Sequence, residues 1–267
     1  MSAKQEHPRR RSRLAALAMA GALIGCGAAA VVATAGLPAP LRTPAYADGP
    51  DGPQKVFTIS DQRIAESSGL TFGTKHTDAL YTINDSGNTP DVFALDLTGK
   101  VLGTIALGGA TNTDWEAVAS GPDGRIWVGD IGDNDRKRES ITLFRIHEPD
   151  QLGDQREQWS RFTLAYPDGA HDAETLLVHP KTGRVYIVTK DPQGGGIYAG
   201  PAELASGTPN TMTKVANAPA VVTDGAFLPD GSAAVVRTYG KAYVLDMPSG
   251  KVQRTVGLPT QRQGESL

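Results

Sequence analysis

Asp114-Trp115-Glu116-Ala117-Val118 is one of five related stretches that organise the chain. The others are Glu66-Ser67-Ser68-Gly69-Leu70, Asp172-Ala173-Glu174-Thr175-Leu176, Thr223-Asp224-Gly225-Ala226-Phe227 and Gln263-Gly264-Glu265-Ser266-Leu267. Each sets a carboxylate ahead of small residues and then an apolar one. The acids Glu66, Glu116, Glu174, Asp224 and Glu265 recur 50, 58, 50 and 41 residues apart. A period of about 40–50 residues marks a propeller or an array of supersecondary units.

The segment after each acid repeats as well. Turn sequences come next, among them Pro122-Asp123-Gly124 and Pro229-Asp230-Gly231. There proline presets φ and glycine supplies φ > 0. A second apolar run comes at 80–83, 126–128, 185–188 and 233–236, a third at 92–95, 141–146, 197–199 and 242–245, and a fourth at 101–105, 159–164, 212–215 and 252–256. Four short strands per unit, separated by Gly, Pro and Asp, are the layout of a propeller blade. A lone four-stranded sheet keeps two raw edges, and ringing the sheets covers their faces.

The expected fold is therefore all-β, a five-bladed propeller over 56–267 with four complete blades. Residues 56–59 read as an orphan strand, and 265–267 as the start of a fifth inner strand. Together they predict a truncated last blade, closed by the N-terminal strand. The alternative is a natural C-terminus and an open ring of four blades.

Residues 1–47 lie outside the repeat. Arg9, Arg10, Arg11 and Arg13 precede an uncharged run over 14–36, and Ala45-Tyr46-Ala47 fits the small-x-small cleavage rule. This predicts a signal peptide, secretion and a mature start at Asp48. Leu23-Ile24-Gly25-Cys26 supports a rival, a lipoprotein anchored through Cys26, and an uncleaved anchor is the third reading. Residues 48–55 read as a linker. Cys26 is the only cysteine, so a chain cut after Ala47 has no disulfide. The net charge of −3 becomes more acidic once the basic leader is gone, which argues against nucleic acid as a partner. A small molecule or a protein is the expected partner of a monomer, with no membrane span in the mature domain.

In an up-and-down blade the start of strand one and the end of strand two share a face. That places Glu66, Asp114, Glu116, Asp172, Glu174, Asp224 and Glu265 at one mouth of the central channel. Asn84, Asp85, Asp130, Asp133, Asn134, His171, Lys190 and Arg237 are expected around them. Such acids either accept backbone N–H bonds or act together. Crowded carboxylates raise one another's pKa and favour a counter-ion, and an oxygen-rich set suits calcium. Glu116, Glu174 and Asp224 are the expected ligands. Lys190 and Arg237 pair with acids or hold an anionic group. No nucleophile elbow, His-Glu-x-x-His or phosphate-binding glycine loop occurs, so no catalytic residue is assigned.

As a set, Glu-Ser-Ser-Gly-Leu (66–70), Asn-Asp-Ser-Gly-Asn (84–88), Asp-Trp-Glu-Ala-Val (114–118), Gly-Asp-Ile-Gly-Asp-Asn (129–134), His-Asp-Ala-Glu-Thr-Leu (171–176) and Thr-Asp-Gly-Ala-Phe (223–227) resemble secreted actinobacterial β-propeller proteins of WD-repeat-like type, mostly uncharacterised. A looser similarity runs to phytase-like esterase and calcium-dependent gluconolactonase propellers. The first resemblance implies a secreted propeller with no established activity. The second implies, as the alternative to a binding scaffold, a calcium-assisted hydrolase of a small ester, lactone or phosphoester.

Overall fold

Eighteen short strands joined by turns and loops make up the computed structural model, which describes residues 56–259, 261 and 264–267. The leader, the linker and the cleavage site lie outside these residues. In chain order the strands of the first unit are β1 (Ser67–Phe72), β2 (Ala79–Asn84), β3 (Asp91–Asp96) and β4 (Val101–Ala106). The second unit has β5 (Trp115–Gly121), β6 (Arg125–Asp130), β7 (Ile141–His147), the short β8 (Gln155–Arg156) and β9 (Trp159–Ala165). The third has β10 (Ala173–Val178), β11 (Val185–Thr189), β12 (Gly196–Ala199), β13 (Asn210–Thr211) and β14 (Thr213–Asn217). The fourth has β15 (Asp224–Phe227), β16 (Ala234–Arg237), β17 (Lys241–Asp246) and β18 (Lys251–Gly257). Apart from β8 and β13, each unit folds into one antiparallel meander, so the described residues form four blades.

Residue alternation explains how the blades stack. Tyr81 and Ile83 of β2 point toward blade two and pack with Val118, Ile126, Val128 and Phe144. Leu80, next to Tyr81, points the other way. Both faces of a central strand are thus buried, and the sequence runs apolar rather than alternating. The same arrangement joins blade two to three, through Trp127, Phe162, Leu176 and Ile187, and blade three to four, through Leu177, Val188, Ala234 and Leu245. Each such side chain contributes about 1.5–3 kcal/mol on burial.

Two short strands were not expected. β8, from the connection between β7 and β9, pairs in parallel with β4 of blade one. β13, from the connection between β12 and β14, pairs in parallel with β9 of blade two. Each covers the outer edge of the preceding blade, an edge that would otherwise be open to pairing with another chain.

The five-bladed ring is corrected to four blades. Residues 56–59 form no strand. Phe57 and Ile59 instead lie with Ile64 over Leu80, Phe93 and Leu95, covering the face of blade one that has no neighbouring blade. Gly99 (φ +84) makes room for this, because a Cβ there would come within 2.5 Å of the Phe57 ring. The physical reason is that three apolar side chains gain more by burial against an open face than a short strand gains by edge pairing. Nor does the fifth acid start a sheet. Residues 264–267 run between β15 and β1 without strand pairing. The Leu267 N–H donates to Asp224 Oδ2 (2.6 Å), the Thr223 hydroxyl to the Gly264 carbonyl (2.5 Å), and the Gly69 N–H to the Glu265 carbonyl (3.3 Å).

Candidate functional site

The inner strands β1, β5, β10 and β15 lie side by side in sequence order. Their first residues face the last residues of the second strands. Ser67 pairs with Asn84, Trp115 with Asp130, Ala173 with Thr189 and Asp224 with Arg237. In each blade the start of the inner strand therefore lies beside the end of the second strand.

A feature invisible in the repeat sets which acids point inward. In β5, Trp115 and Ala117 pair with successive residues of β6, leaving Glu116 as the extra residue of a bulge. Glu174 is the extra residue in β10, and Gly69 (φ +74) in β1, while β15 has no bulge. A bulge re-aims the side chain it carries. Glu116 and Glu174 are both deeply buried, at 6% exposure each. In blade one the matching place belongs to Ser68, whose hydroxyl contacts the Glu116 carbonyl (2.9 Å) and Oε2 (3.3 Å). Glu66 occupies the outer place that Asp114 and Asp172 hold in their blades. It is exposed and accepts a bond from Asn88 (3.1 Å), so it leaves the expected inner ring of acids. The expectation was two residues out of phase in this blade.

Asp85, Asp114 and Glu116 come together, with one carboxylate oxygen from each lying within 4.8 Å of the others. Gly132 closes one side: a Cβ there would collide with the Asp114 carboxylate and lie 2.9 Å from Glu116 Cγ. Burial pushes the Glu116 carboxyl up to about 10, with the charges of Glu174, Asp85 and Asp114 adding to it. Burial, then Asp85 and Asp172, raises Asp114 to about 6 against the pull of Arg138. The contrast with Glu148 shows why. Glu148 is also buried, though less deeply within the protein, and burial favours its neutral form, yet it accepts the N–H groups of Thr74 (3.0 Å), Lys75 (2.8 Å) and His76 (2.8 Å) and the Tyr81 hydroxyl (3.1 Å). These donors outweigh burial and hold its pKa below the usual range. Glu148 is a structural clamp, whereas Glu116 has no comparable set of donors.

Of the expected ligand trio, only Glu116 belongs to this cluster. Glu174 Oε1 takes the Lys190 ammonium, while its Oε2 is buried without a hydrogen-bond partner. Burial lifts Glu174 to about 7, and Lys190 offsets part of that rise. Asp224, raised to about 8 by burial, accepts the Leu267 N–H. Burial also raises Glu265.

Several surrounding residues are structural. Asn84 accepts the Glu66 N–H (3.1 Å) and donates to the Arg63 carbonyl (2.7 Å). Asp130 accepts the N–H groups of Thr113 and Asp114 (3.2 Å each) and pairs with Arg138 (2.7 Å). Asp172 accepts the Asp133 N–H (2.9 Å), and Asp133 in turn holds the Lys137 and Arg138 N–H groups (3.0 and 2.8 Å). The loop after β6 is thus self-satisfied, with Asn134 exposed upon it. Arg237 is fully buried and donates to the Ser266 carbonyl (2.6 Å) and Gln261 Oε1 (2.7 Å). It anchors 264–267 rather than facing a ligand. His171 sits at Asp168 Oδ1 (3.0 Å) and the Tyr198 hydroxyl (2.9 Å), with the Tyr166 ring edge-on 4.9 Å away. The sequence reading missed Ser68, Asp168, Tyr166 and Tyr198. Only the spacing of Asp168 three residues before His171 hinted at any of them.

No family model matches the sequence, and no curated protein matches it. Solved structures align at low identity. A protein of unknown function from Bacteroides caccae covers 72% of this chain at 13% identity and TM-score 0.43, with 60% of its own length aligned. An auxiliary nutrient binding protein from Bacteroides ovatus covers 73% at 16% identity and TM-score 0.43, with 42% of its length aligned. Kuenenia stuttgartiensis hydrazine synthase covers 72% at 16% identity and TM-score 0.43, with 49% of its length aligned. The chain thus spans about half the length of these proteins, and likenesses at this level say nothing about activity. No helix among the described residues is long and apolar enough to cross a membrane. Among the described residues the sheets themselves establish an all-β fold in a β-propeller arrangement of four blades.

Proposed function

We propose that this chain is a secreted binding propeller whose channel mouth holds a hard cation, calcium foremost, and through it a small molecule or a protein segment. The observation that carries this reading is the meeting of Asp85, Asp114 and Glu116 oxygens within 4.8 Å around a buried glutamate. Three carboxylates this close repel when ionised, and a divalent cation relieves both the repulsion and the burial of charge. Gly132 and Ser68 fit the role, one by leaving room and the other by contacting Glu116. Glu174 with its Lys190 partner borders the site and leaves one buried oxygen unpaired. Secretion by cleavage after Ala47, a monomeric state and kinship with secreted actinobacterial propellers belong to the same reading.

The test is calorimetric titration with calcium of the chain and its Glu116→Gln and Asp114→Asn variants. Saturable binding with proton release, lost in both variants, is the expected result. Millimolar calcium that produces neither heat nor a shift in melting temperature would refute it.

The second reading is hydrolysis of a small ester, lactone or phosphoester. Lys190, 21% exposed at the same mouth, favours it by offering a cation for an anionic substrate. A bound cation would polarise the carbonyl or phosphoryl oxygen. Arg237 is committed to Ser266 and Gln261 and takes no part. Calcium-dependent turnover of model esters, abolished by Glu116→Gln, would favour this reading over the first.

A further inference from the structure

The unneighboured face of blade one carries a groove of about 590 Å³, away from the acids of the mouth. It exists because β8 crosses from blade two to pair with β4. The register sets Gln155 beside Ile105 and Arg156 beside Ala106, bringing Asp154 and Arg156 next to β4. Phe93 and Thr104, cross-strand partners on β3 and β4, form the floor, and Arg63 closes the end toward the N-terminal cover.

The charges in this groove are unequally satisfied. Arg63 is already held by Asp61 Oδ2 (2.7 Å) and Oδ1 (3.0 Å) and donates to the Thr104 hydroxyl (3.2 Å). Arg156 makes no ion pair among the described residues. Asp154 spends Oδ1 on the Thr104 N–H (2.9 Å), and Asp91 spends Oδ2 on the Thr89 hydroxyl (2.6 Å). Each aspartate keeps its other oxygen, and the charges of both act on Arg63. The groove therefore offers one uncommitted guanidinium and two half-committed carboxylates over a mixed floor of Phe93, Thr104 and Ala106. Its volume falls within the range of about 300–1,000 Å³ typical of small-molecule sites.

We propose that this groove is a ligand site, separate from the channel mouth, for a small zwitterion such as an amino acid or a short peptide. Arg156 takes the carboxylate in a forked pair, Asp91 and Asp154 take the ammonium, and Phe93 and the stem of Arg63 line the space between.

The probe is L-alanyl-L-alanine, titrated into the whole chain and followed by ¹⁵N NMR, with acetate and methylammonium as half-probes. Saturable millimolar shifts are expected at the amides of Thr104, Asp154 and Arg156. Arg156→Ala and Asp154→Asn should each weaken binding by about tenfold or more, and each half-probe should bind about tenfold more weakly than the dipeptide. Both side chains are exposed, so the variants should keep the parent melting temperature. Glu116→Gln should bind the dipeptide like the parent, which separates this site from the mouth. Absence of saturable shifts, shifts that persist in the Arg156→Ala/Asp154→Asn double variant, or acetate binding as tightly as the dipeptide would each overturn the proposal.

Discussion

Replacing Glu116 by glutamine should flatten the pH dependence of stability. Burial, with Glu174, Asp85 and Asp114 nearby, raises this carboxyl from 4.5 to about 10 in the folded chain. A raised acid binds its proton more tightly folded than unfolded. Its contribution is therefore fully present below about pH 4.5 and is lost as pH rises toward the folded pKa. Between about pH 6 and pH 8 the unfolded chain has shed this proton while the folded chain keeps it. The slope from this one group is then that of one bound proton, or about 3 kcal/mol over the interval. For a domain of this size that is a fall of about 5–10 °C in melting temperature. The figure does not depend on the precise folded pKa, provided it lies well above 8. Asp224 (about 8) and Glu174 (about 7) add slopes of the same sign over part of the interval, so the difference between parent and variant isolates Glu116. Glutamine is nearly isosteric with the protonated acid. The variant should match the parent near pH 5 and exceed it increasingly toward pH 8 in calcium-free buffer. Melting curves in calcium-free buffer across this range are the assay. Parallel pH profiles for parent and variant would show that Glu116 is ionised at neutral pH and would refute the electrostatic account of the mouth.

Lys190→Met should cost about 2–4 kcal/mol at neutral pH, because it strands the buried Glu174 carboxylate. The loss should shrink in acid as Glu174 takes up a proton, and denaturant titration at two pH values checks both points. Gly132→Ala should raise the calcium dissociation constant by about tenfold or more, because its methyl group collides with Asp114; calorimetry reads this directly. Phe57→Ala should lose about 3 kcal/mol by uncovering Leu80, Phe93 and Leu95, which a urea midpoint shift would show.

Strands, turns and the repeat were legible because they arise from local chemistry. Runs such as 80–83 and 126–128 became β2 and β6, and Asp123-Gly124 adopts positive φ at both residues, as a tight hairpin needs. The pairing of each inner strand's start with the end of the second strand was also implied by chain order, since an antiparallel meander forces it. Blade number was not local. Glu265 repeats the acid motif, but a motif becomes a blade only when a sheet forms behind it, and here 264–267 is held by Arg237, Asp224 and Thr223 instead. The site's membership was not local either. Glu116 and Glu174 sit at bulges and are buried, whereas blade one has its bulge at Gly69, carries Ser68 at the matching place and leaves Glu66 in solvent. The groove on blade one lay further still from the sequence, because Arg156 meets β4 only through a crossing strand about 50 residues downstream. Periodicity and turn chemistry act between neighbours in the chain and can be read from it. Bulge phase, the cover of an open face and the pairing of charges are settled by whichever distant surfaces the folded chain brings together, so they belong to the tertiary structure alone.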